Sequence, residues 1–512
     1  MELIKQSIRV CDVTARGSMQ AMTDGDVIVP DVKPDILKLL QVDAEACVTD
    51  KYIENGRLVA AGRVDYRVLY VPDKANERVC ALNVSMEFRQ TADARGADSS
   101  AVPLVTASVE RVEFNTVNSR KLRLRAIVSV RYEICSVREP ELTVDIEDTE
   151  GERAERRMRS VSFESAADIS EHDFSIKETL EVPSGQSSIN ELLKTDVRIS
   201  DTEYKPVTGK MIIKGIANIC ILYTDDEGGI KYIDAETPFT EVLDTDGAGE
   251  DAVCDIEYSI MGVMCTPEPD SDGDMRMAAV DIDVCAAVKA FERTETELLE
   301  DCFIPGTDTK CEYETIELTD TPARPSAQNN IREVIDFPSD APGVSAVYNV
   351  MTNATVTKTE LRRGKLLCEG NIEAFVTYIT DSAETPLYTI KKDIKFSYML
   401  ESEEAGSDAE AEARAEVRHI SYSLNAGGSL ELRCLLQLDT RLTRRAAVKN
   451  MISAECSKKS VKRGMMIYFV QNGDSLWDVA RRYGVTCESI MKGNDMEDEQ
   501  ITGGERLFIL PH

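Results

Sequence analysis

Histidine is nearly absent from this chain: His172, His419 and His512 are the three in 512 residues. They lie far apart and none sits in a metal-ligand spacing, which leaves little material for a metal centre or for imidazole acid–base chemistry. The patterns GxxxxGK[ST], GxSxG and HExxH are also missing. Gly427-Gly428 and Gly503-Gly504 read as isolated turns rather than a phosphate cradle. Carboxylates are so numerous that their proximity in sequence carries no information about paired acid–base work. No catalytic residue, metal site or cofactor is expected, and the chain reads as a non-enzyme.

Basic charge is scarce as well. Lys+Arg is 59 against 92 for Asp+Glu, a formal net charge of −33. Nucleic acid requires a basic footprint and anionic lipid a basic surface, so neither is an expected partner. No apolar run approaches the roughly 20 residues that cross a bilayer, and MELIKQSIRVCDVTARG has no apolar h-region. The 14 cysteines contain no CxxC pair. Without a signal segment they predict reduced thiols in a cytosolic compartment, several serving as small hydrophobes on strand faces. What is present is a globular balance, 42% hydrophobic and 29% charged, over a length that suits about three to four domains.

A long repeat organises most of the chain. Pro30, Pro183 and Pro338 open three similar stretches, with periods of 153 and 155 residues; Gly62, Gly215 and Gly370 follow 32 residues after each, and Tyr70, Tyr223 and Tyr378 a further 8 on. After each glycine every second residue is apolar: Val64, Tyr66, Val68, Tyr70; Ala217, Ile219, Ile221, Tyr223; Ile372, Ala374, Val376, Tyr378. Period two with β-branched and aromatic residues predicts a half-buried strand. A one-residue slip would turn Arg63 and Asp65 inward, so the register is well specified. The glycine itself predicts a bulge or a close backbone approach.

Each repeat has a second alternating segment: Leu122–Val130, Val280–Ala286 and Leu430–Leu438. Polar connectors separate the halves: TADARGADSS, LDTDGAGEDA and ESEEAGSDAEAEARAE. The last, from Glu401 to Glu416, has the charge of an interaction tail, but its recurrence at one place favours a solvated loop. PDILKLL and SSINELLKT predict short helices, the second capped by Ser187 or Ser188 with Glu191 closing the box. The expected fold class is therefore mainly β, three sandwich-like or open-barrel units.

These units resemble the SPOCS domain of spore-coat and related proteins of endospore-forming bacteria. The resemblance spans about residues 25 to 440 and rests on the proline lead-in, the glycine-led strand and the LY or TY that follows. The expected boundaries are repeats at 1–140, 141–300 and 301–440, a basic linker at 441–463 and a terminal domain at 464–512.

That terminal segment reads YFVQNGDSLWDVARRYGVTCESIMKGNDMEDEQITGGERLFILP from Tyr468. YFV predicts a strand and Asn472-Gly473 a turn; Ser475 is an N-cap and Asp478 completes a capping box. Leu476, Val479, Ala480 and Tyr483 form a helical stripe, Gly484 ends that helix, and Thr486 caps a second one, ending near Gly493 or Asn494. RLFIL closes a βααβ order. The segment resembles a LysM domain. The resemblance implies a ligand groove between two loops, formed by Gly473, Asp474, Ser475 and Leu476 on one side and by Asn494, Asp495, Met496, Ile501 and Thr502 on the other. The usual ligand of such a groove is an N-acetylglucosamine glycan, as in peptidoglycan. Many LysM domains have I-x-P-G-Q-x-L where this chain has Ile501 to Leu507, with Gly503 at the proline and Glu505 at the glutamine. Asp495, Glu497, Asp498 and Glu499 add negative charge nearby.

Trp477, the one tryptophan, lies off the apolar stripe. It is a candidate partner contact or a side chain packed on the domain's own flank. Residues 441 to 463 carry eight Lys/Arg and one Glu, a solvated edge strand with a tether or, alternatively, a basic docking strip. Taken whole, the chain resembles the spore coat morphogenetic proteins of the SipL type. That resemblance implies a scaffold in the mother-cell cytoplasm, recruited to the forespore surface. There it would bind the coat-basement ATPase and other coat proteins, with the LysM domain as a main contact. The alternative is a peptidoglycan-binding protein of the spore cortex or cell wall.

Overall fold

The computed structural model describes residues 1–73, 78–98, 100–148, 153–362, 364–402, 409–425, 428–458 and 464–510. Gly427, residues 403–408 of the acidic connector, 459–463 of the basic stretch and His512 lie outside the described residues, as does one residue of the first connector.

The first unit runs through β1 (Leu3–Ser7), β2 (Val10–Ile28), β3 (Ile36–Glu54), β4 (Arg57–Pro72), β5 (Cys80–Asp93), β6 (Val102–Asn118), β7 (Lys121–Arg138) and β8 (Glu141–Ile146). All pairing is antiparallel: β4 is central in an inner sheet with β3 and β5, β7 is central in an outer sheet with β2 and β6, and β1 pairs β8. The second unit repeats this plan with β9 (Glu155–Glu181), β10 (Ile189–Val207), β11 (Lys210–Asp225), β12 (Ile230–Asp244), β13 (Val253–Pro269) and β14 (Met275–Phe303). Its inner sheet is β10-β11-β12 and its outer sheet β13-β14-β9. The third has β15 (Thr307–Ala323), β16 (Ser326–Asp336), β17 (Val344–Arg362), β18 (Lys365–Thr380), β19 (Leu387–Glu401), β20 (Glu410–Leu424) and β21 (Ser429–Lys458). Here β17-β18-β19 is the inner sheet, and β21 pairs β16, β20 and β15 in the outer one. A βααβ module follows: β22 (Met466–Phe469), α1 (Leu476–Tyr483), α2 (Cys487–Gly493) and β23 (Arg506–Ile509).

Each unit is a two-sheet sandwich with its own core. The twelve alternating residues of β4, β11 and β18 are all fully buried, facing the equivalent apolar rows of β7, β14 and β21. Burying a Val, Ile or Leu contributes about 1.5–3 kcal/mol, so these rows fix the register. Each repeated tyrosine carries its hydroxyl back to the lead-in loop: Tyr70 donates to the Pro34 carbonyl (3.1 Å), Tyr223 to Gln186 Oε1 (2.9 Å) and the Ser187 carbonyl (3.3 Å), and Tyr378 to the Pro342 carbonyl (3.3 Å).

The repeated glycine does mark a close approach. Gly62, Gly215 and Gly370 pair directly with Phe88, Phe239 and Phe396. A Cβ on Gly62 would lie 2.3 Å from the Cys47 carbonyl oxygen and 2.4 Å from the Phe88 ring; on Gly370 it would lie 2.3 Å from the Thr355 carbonyl oxygen and 2.2 Å from Phe396. The neighbouring strand bulges beside the glycine in all three copies, between Val48 and Asp50, Ser200 and Glu203, and Val356 and Lys358.

Two expectations fail together. PDILKLL and SSINELLKT are not helices; Ile36 and Ile189 begin strands β3 and β10, and Ser187, Ser188 and Glu191 cap nothing. Bulges explain the error. Each repeat breaks register twice here, between Ile36 and Lys38 and between Leu39 and Gln41, and at the equivalent positions of β10 and β17. Every bulge adds a residue, which stretches a period of two toward the spacing of a helix.

The units share two further cores. At one, the inner sheets meet through Leu69, Leu193, Leu222, Tyr348 and Leu387. Beside it lies a polar junction. Lys194 Nζ sits 2.6 Å from Asp43 and 3.1 Å from Asp196, while Tyr348 (3.0 Å) and Asn349 (3.2 Å) donate to Asp196. At the other, ribbons extending from the outer sheets converge: β1 with β8, the ends of β9 and β14, and β15 with the end of β21. Ile8, Leu142, Phe163, Leu298, Leu318 and Val448 pack there, and Asn450 cross-links the ribbons by accepting from the Thr143 N–H (2.9 Å) and donating to the Glu141 carbonyl (2.9 Å). The stretch read as a basic linker from 441 is thus strand β21 as far as Lys458.

Candidate functional site

The terminal module folds by the local rules its sequence sets out. Ser475 is the N-cap of α1, in a reciprocal capping box with Asp478, and Gly484 ends the helix at φ 68°. Thr486 caps α2 through the Ser489 N–H. Leu476, Val479 and Ala480 are buried beneath the paired strands β22 and β23 with Val470, Ile490, Leu507 and Ile509.

The nine groove candidates gather in two adjacent loops, but they are not equivalent. The Gly504 N–H donates to the Val470 carbonyl (2.8 Å), and a Cβ on Gly503 would lie 2.1 Å from Asn472 Oδ1. The loops therefore touch, and the glycine at the usual proline position makes room for Asn472. Leu476 belongs to the core. Asp474 accepts from Tyr468 (2.5 Å) and the Gln471 N–H (2.9 Å), which holds its carboxyl below the usual range. Asn494 donates to Ile490 and Phe508 carbonyls and accepts from the Phe508 N–H (2.7 Å). Ser475 is taken up by the cap, and Met496 and Ile501 pack against the core. Gly473, Asp495 and Thr502 remain open to solvent, although the Thr502 N–H donates to Glu505 (2.9 Å).

Trp477 joins the module's own apolar cluster and also reaches beyond it. It is 8% exposed, and what covers it is the second repeat: Phe303 meets the indole edge-on at 5.0 Å, and Nε1 donates to Asp301 Oδ2 at 2.8 Å. This corrects the reading of Trp477 as a free partner contact. Arg481, one turn on, also binds Asp301 and donates to the Thr309 carbonyl (3.2 Å). The Gly306 N–H donates to the Gly484 carbonyl (2.8 Å). Glu155 lies against the Cys487 N–H, with burial pushing its carboxyl up. The module is therefore clamped onto the convergent ribbons. Nothing in the sequence pairs Asp301 or Phe303 with Trp477 across so long a separation.

The opposite face of the module is free. Ile467, Phe469, Phe508 and Leu510 point outward from the two-stranded sheet, 53%, 60%, 40% and 52% exposed, flanked by Met465. The alternation of YFV and RLFIL carries this signal, since whichever row faces the helices leaves the other outside.

Between the three repeats lies a cavity of about 1110 Å³. Ion pairs between repeats line it: Lys51 with Glu171, Lys289 with Glu133 (3.1 Å), Arg324 with Asp255 (2.7 Å) and Arg16 with Glu412. These pairs hold neighbouring repeats together, and no group of His, Cys, Asp and Glu that could hold a metal ion occurs among the described residues.

The SipL, SPOCS domain family matches residues 35–117, 188–268 and 344–425, each an inner sheet with the one strand that follows it, β6, β13 or β20, and the LysM domain family matches residues 468–509. The chain carries three SPOCS domains and a C-terminal LysM domain, the SipL-type architecture. Both are non-catalytic domain families. No curated protein sequence matches the chain. Among solved structures, the ferric yersiniabactin uptake receptor FyuA from Yersinia pestis aligns with a TM-score of 0.12 and 10% identity over 86% of this chain and 80% of that one, too slight a likeness to carry an argument. Among the described residues no helix is long and apolar enough to cross a membrane.

Proposed function

We propose that this chain is a non-enzymatic adaptor of sporulation. In this reading it works in the mother-cell cytoplasm at the forespore surface, binds the coat-basement ATPase and other coat proteins, and helps encase the forespore. The observation that carries the reading is the LysM domain's orientation. Its single tryptophan is turned inward onto the SPOCS body, while Ile467, Phe469, Phe508 and Leu510 form a contiguous apolar face turned outward. Contiguous exposed apolar surface of this kind marks protein contact sites. The three SPOCS repeats add further surface, so modest contacts multiply through effective concentration.

A second reading, peptidoglycan binding, draws on the openness of Gly473, Asp495 and Thr502 in the groove. One pair of full-length variants separates the two. Ile467→Lys with Phe508→Lys abolishes co-purification with coat-basement proteins if the adaptor reading holds, and leaves sedimentation with purified peptidoglycan unaffected. Undiminished co-purification overturns the adaptor surface. Retention on peptidoglycan that is lost with Thr502→Trp favours the glycan reading.

A further inference from the structure

Under the LysM domain lie two thiols that the adaptor reading does not use. Cys302 ends β14 and is fully buried; Cys311, near the start of β15, is partly exposed. The two side chains are neighbours; the Cys311 thiol lies 3.6 Å from the Cys302 carbonyl oxygen, to which it donates, and the Cys302 thiol donates to Met451 Sδ at 3.8 Å. Arg481 of the LysM domain places Nη2 3.7 Å from Cys311 Sγ. A thiol pair with a guanidinium at one sulfur is the arrangement that makes cysteine reactive, because the thiolate is the nucleophile and a nearby cation favours it. The neighbouring Cys302 side chain, together with the Arg481 guanidinium, brings Cys311 down to about 6 against the opposing effect of burial. A second pair, Cys11 with Cys135, lies in the first repeat, without the LysM domain's arginine.

We infer that Cys302 and Cys311 form a peroxide-oxidisable site, completed by Arg481 when the LysM domain is docked. Cys311 is the attacking sulfur and Cys302 the resolving one. The Cys311 thiolate attacks one oxygen of hydrogen peroxide; the S–O bond forms, the O–O bond breaks, and the departing hydroxide takes a proton and leaves as water. The Cys302 sulfur then attacks Cys311; the S–S bond forms, the S–O bond breaks, and hydroxide leaves with the Cys302 proton as a second water. Two thiols lose two electrons and one peroxide is reduced to two waters.

The test uses the full-length reduced chain and one equivalent of hydrogen peroxide. Free thiols are then alkylated, and the chain is digested with trypsin and mapped by mass spectrometry. Trypsin cuts after Lys310, so a Cys302–Cys311 disulfide appears as two cross-linked peptides. That product is expected, formed before any oxidation of Cys456, the exposed cysteine that serves as the internal reference for access alone. Arg481→Ala should slow the reaction by about fivefold or more as the thiolate loses its cation. Cys302→Ala should abolish the cross-link and leave a sulfenic acid on Cys311 that dimedone traps. Oxidation of Cys456 ahead of Cys311, a Cys311 that pairs with some other cysteine, or a rate indifferent to Arg481 would overturn the site.

Discussion

Inside the SPOCS repeats and between them, the same strand positions do opposite work. Within a repeat, the glycine, the phenylalanine across from it and the tyrosine 8 residues on have equivalents in all three copies and equivalent contacts. At the junction, the positions 10, 11 and 13 residues after the opening proline carry Leu40-Gln41-Asp43, Leu193-Lys194-Asp196 and Tyr348-Asn349-Met351. A sandwich core can be written three times because each copy solves one packing problem. A three-way junction cannot, because like charges would meet where the copies converge. One copy supplies Lys194, two supply carboxylates, and the third supplies neutral donors.

The comparison breaks most sharply at Lys194. Lys194→Met leaves the buried Asp196 without its nearest cation and beside the partly exposed Asp43, and the expected loss is about 3 kcal/mol, the lower end of the scale for removing one partner of a buried pair. Thermal unfolding of the full chain measures it. The double variant with Asp196→Asn should recover part of the loss; no recovery would mean that the charges are not what couples the repeats. Burial opposes the ammonium, but Asp196 and Asp43 outweigh it and raise Lys194 above its ordinary value. A raised lysine contributes stability in full below its unfolded value, about pH 10, and loses that contribution as the pH climbs beyond it. Acidification toward neutrality should therefore leave the Lys194 contribution intact.

Within the repeats, Gly370→Ala should cost about 3 kcal/mol, since a methyl group there meets both a backbone carbonyl and a ring. Gly62→Ala should match it. Gly215→Ala should cost less, because the nearest backbone oxygen, of Ser200, lies 3.3 Å from the added carbon and only the Phe239 ring, at 2.7 Å, must move. Equal losses at all three glycines would show that intrinsic strand propensity, not the close approach, sets the cost.

The same contrast separates what the sequence made legible from what it did not. The glycine, the tyrosine and the alternation announced the sandwich because they recur locally and with a fixed period. The LysM caps at Ser475, Asp478, Gly484 and Thr486 were legible for the same reason, being rules of a few residues. The bulges at Leu39 and Leu192 defeated the reading by giving strand residues a helical spacing. Trp477 defeated it differently: its partners Phe303 and Asp301 belong to another domain, and no local pattern encodes a contact across 176 residues.

Asp301 tests that long-range contact. It accepts from Trp477, Arg481 and Tyr313 at once. Asp301→Asn keeps the shape but removes the charge and should weaken the clamp by about 2 kcal/mol, the scale for a hydrogen bond to a charged group. Because Trp477 is the one tryptophan, its emission reports the joint directly, and a red shift in the variant is expected. An unshifted emission would mean that Phe303 alone keeps the indole covered.

The smallest expected effect on stability is at Ile467, on the free face of the same domain. The side chain is 53% exposed, and the residue pairs across the two-stranded sheet with Phe508. Ile467→Lys should change the melting temperature little, within about 0.5 kcal/mol, as exposed substitutions do, and should leave Trp477 emission unmoved. Set beside Asp301→Asn, it turns one small domain into two experiments: one face whose residues hold the domain to its own chain, and one whose residues cost the fold nothing to replace. A large loss of stability at Ile467 would place that face against the body and remove it as a contact for any partner.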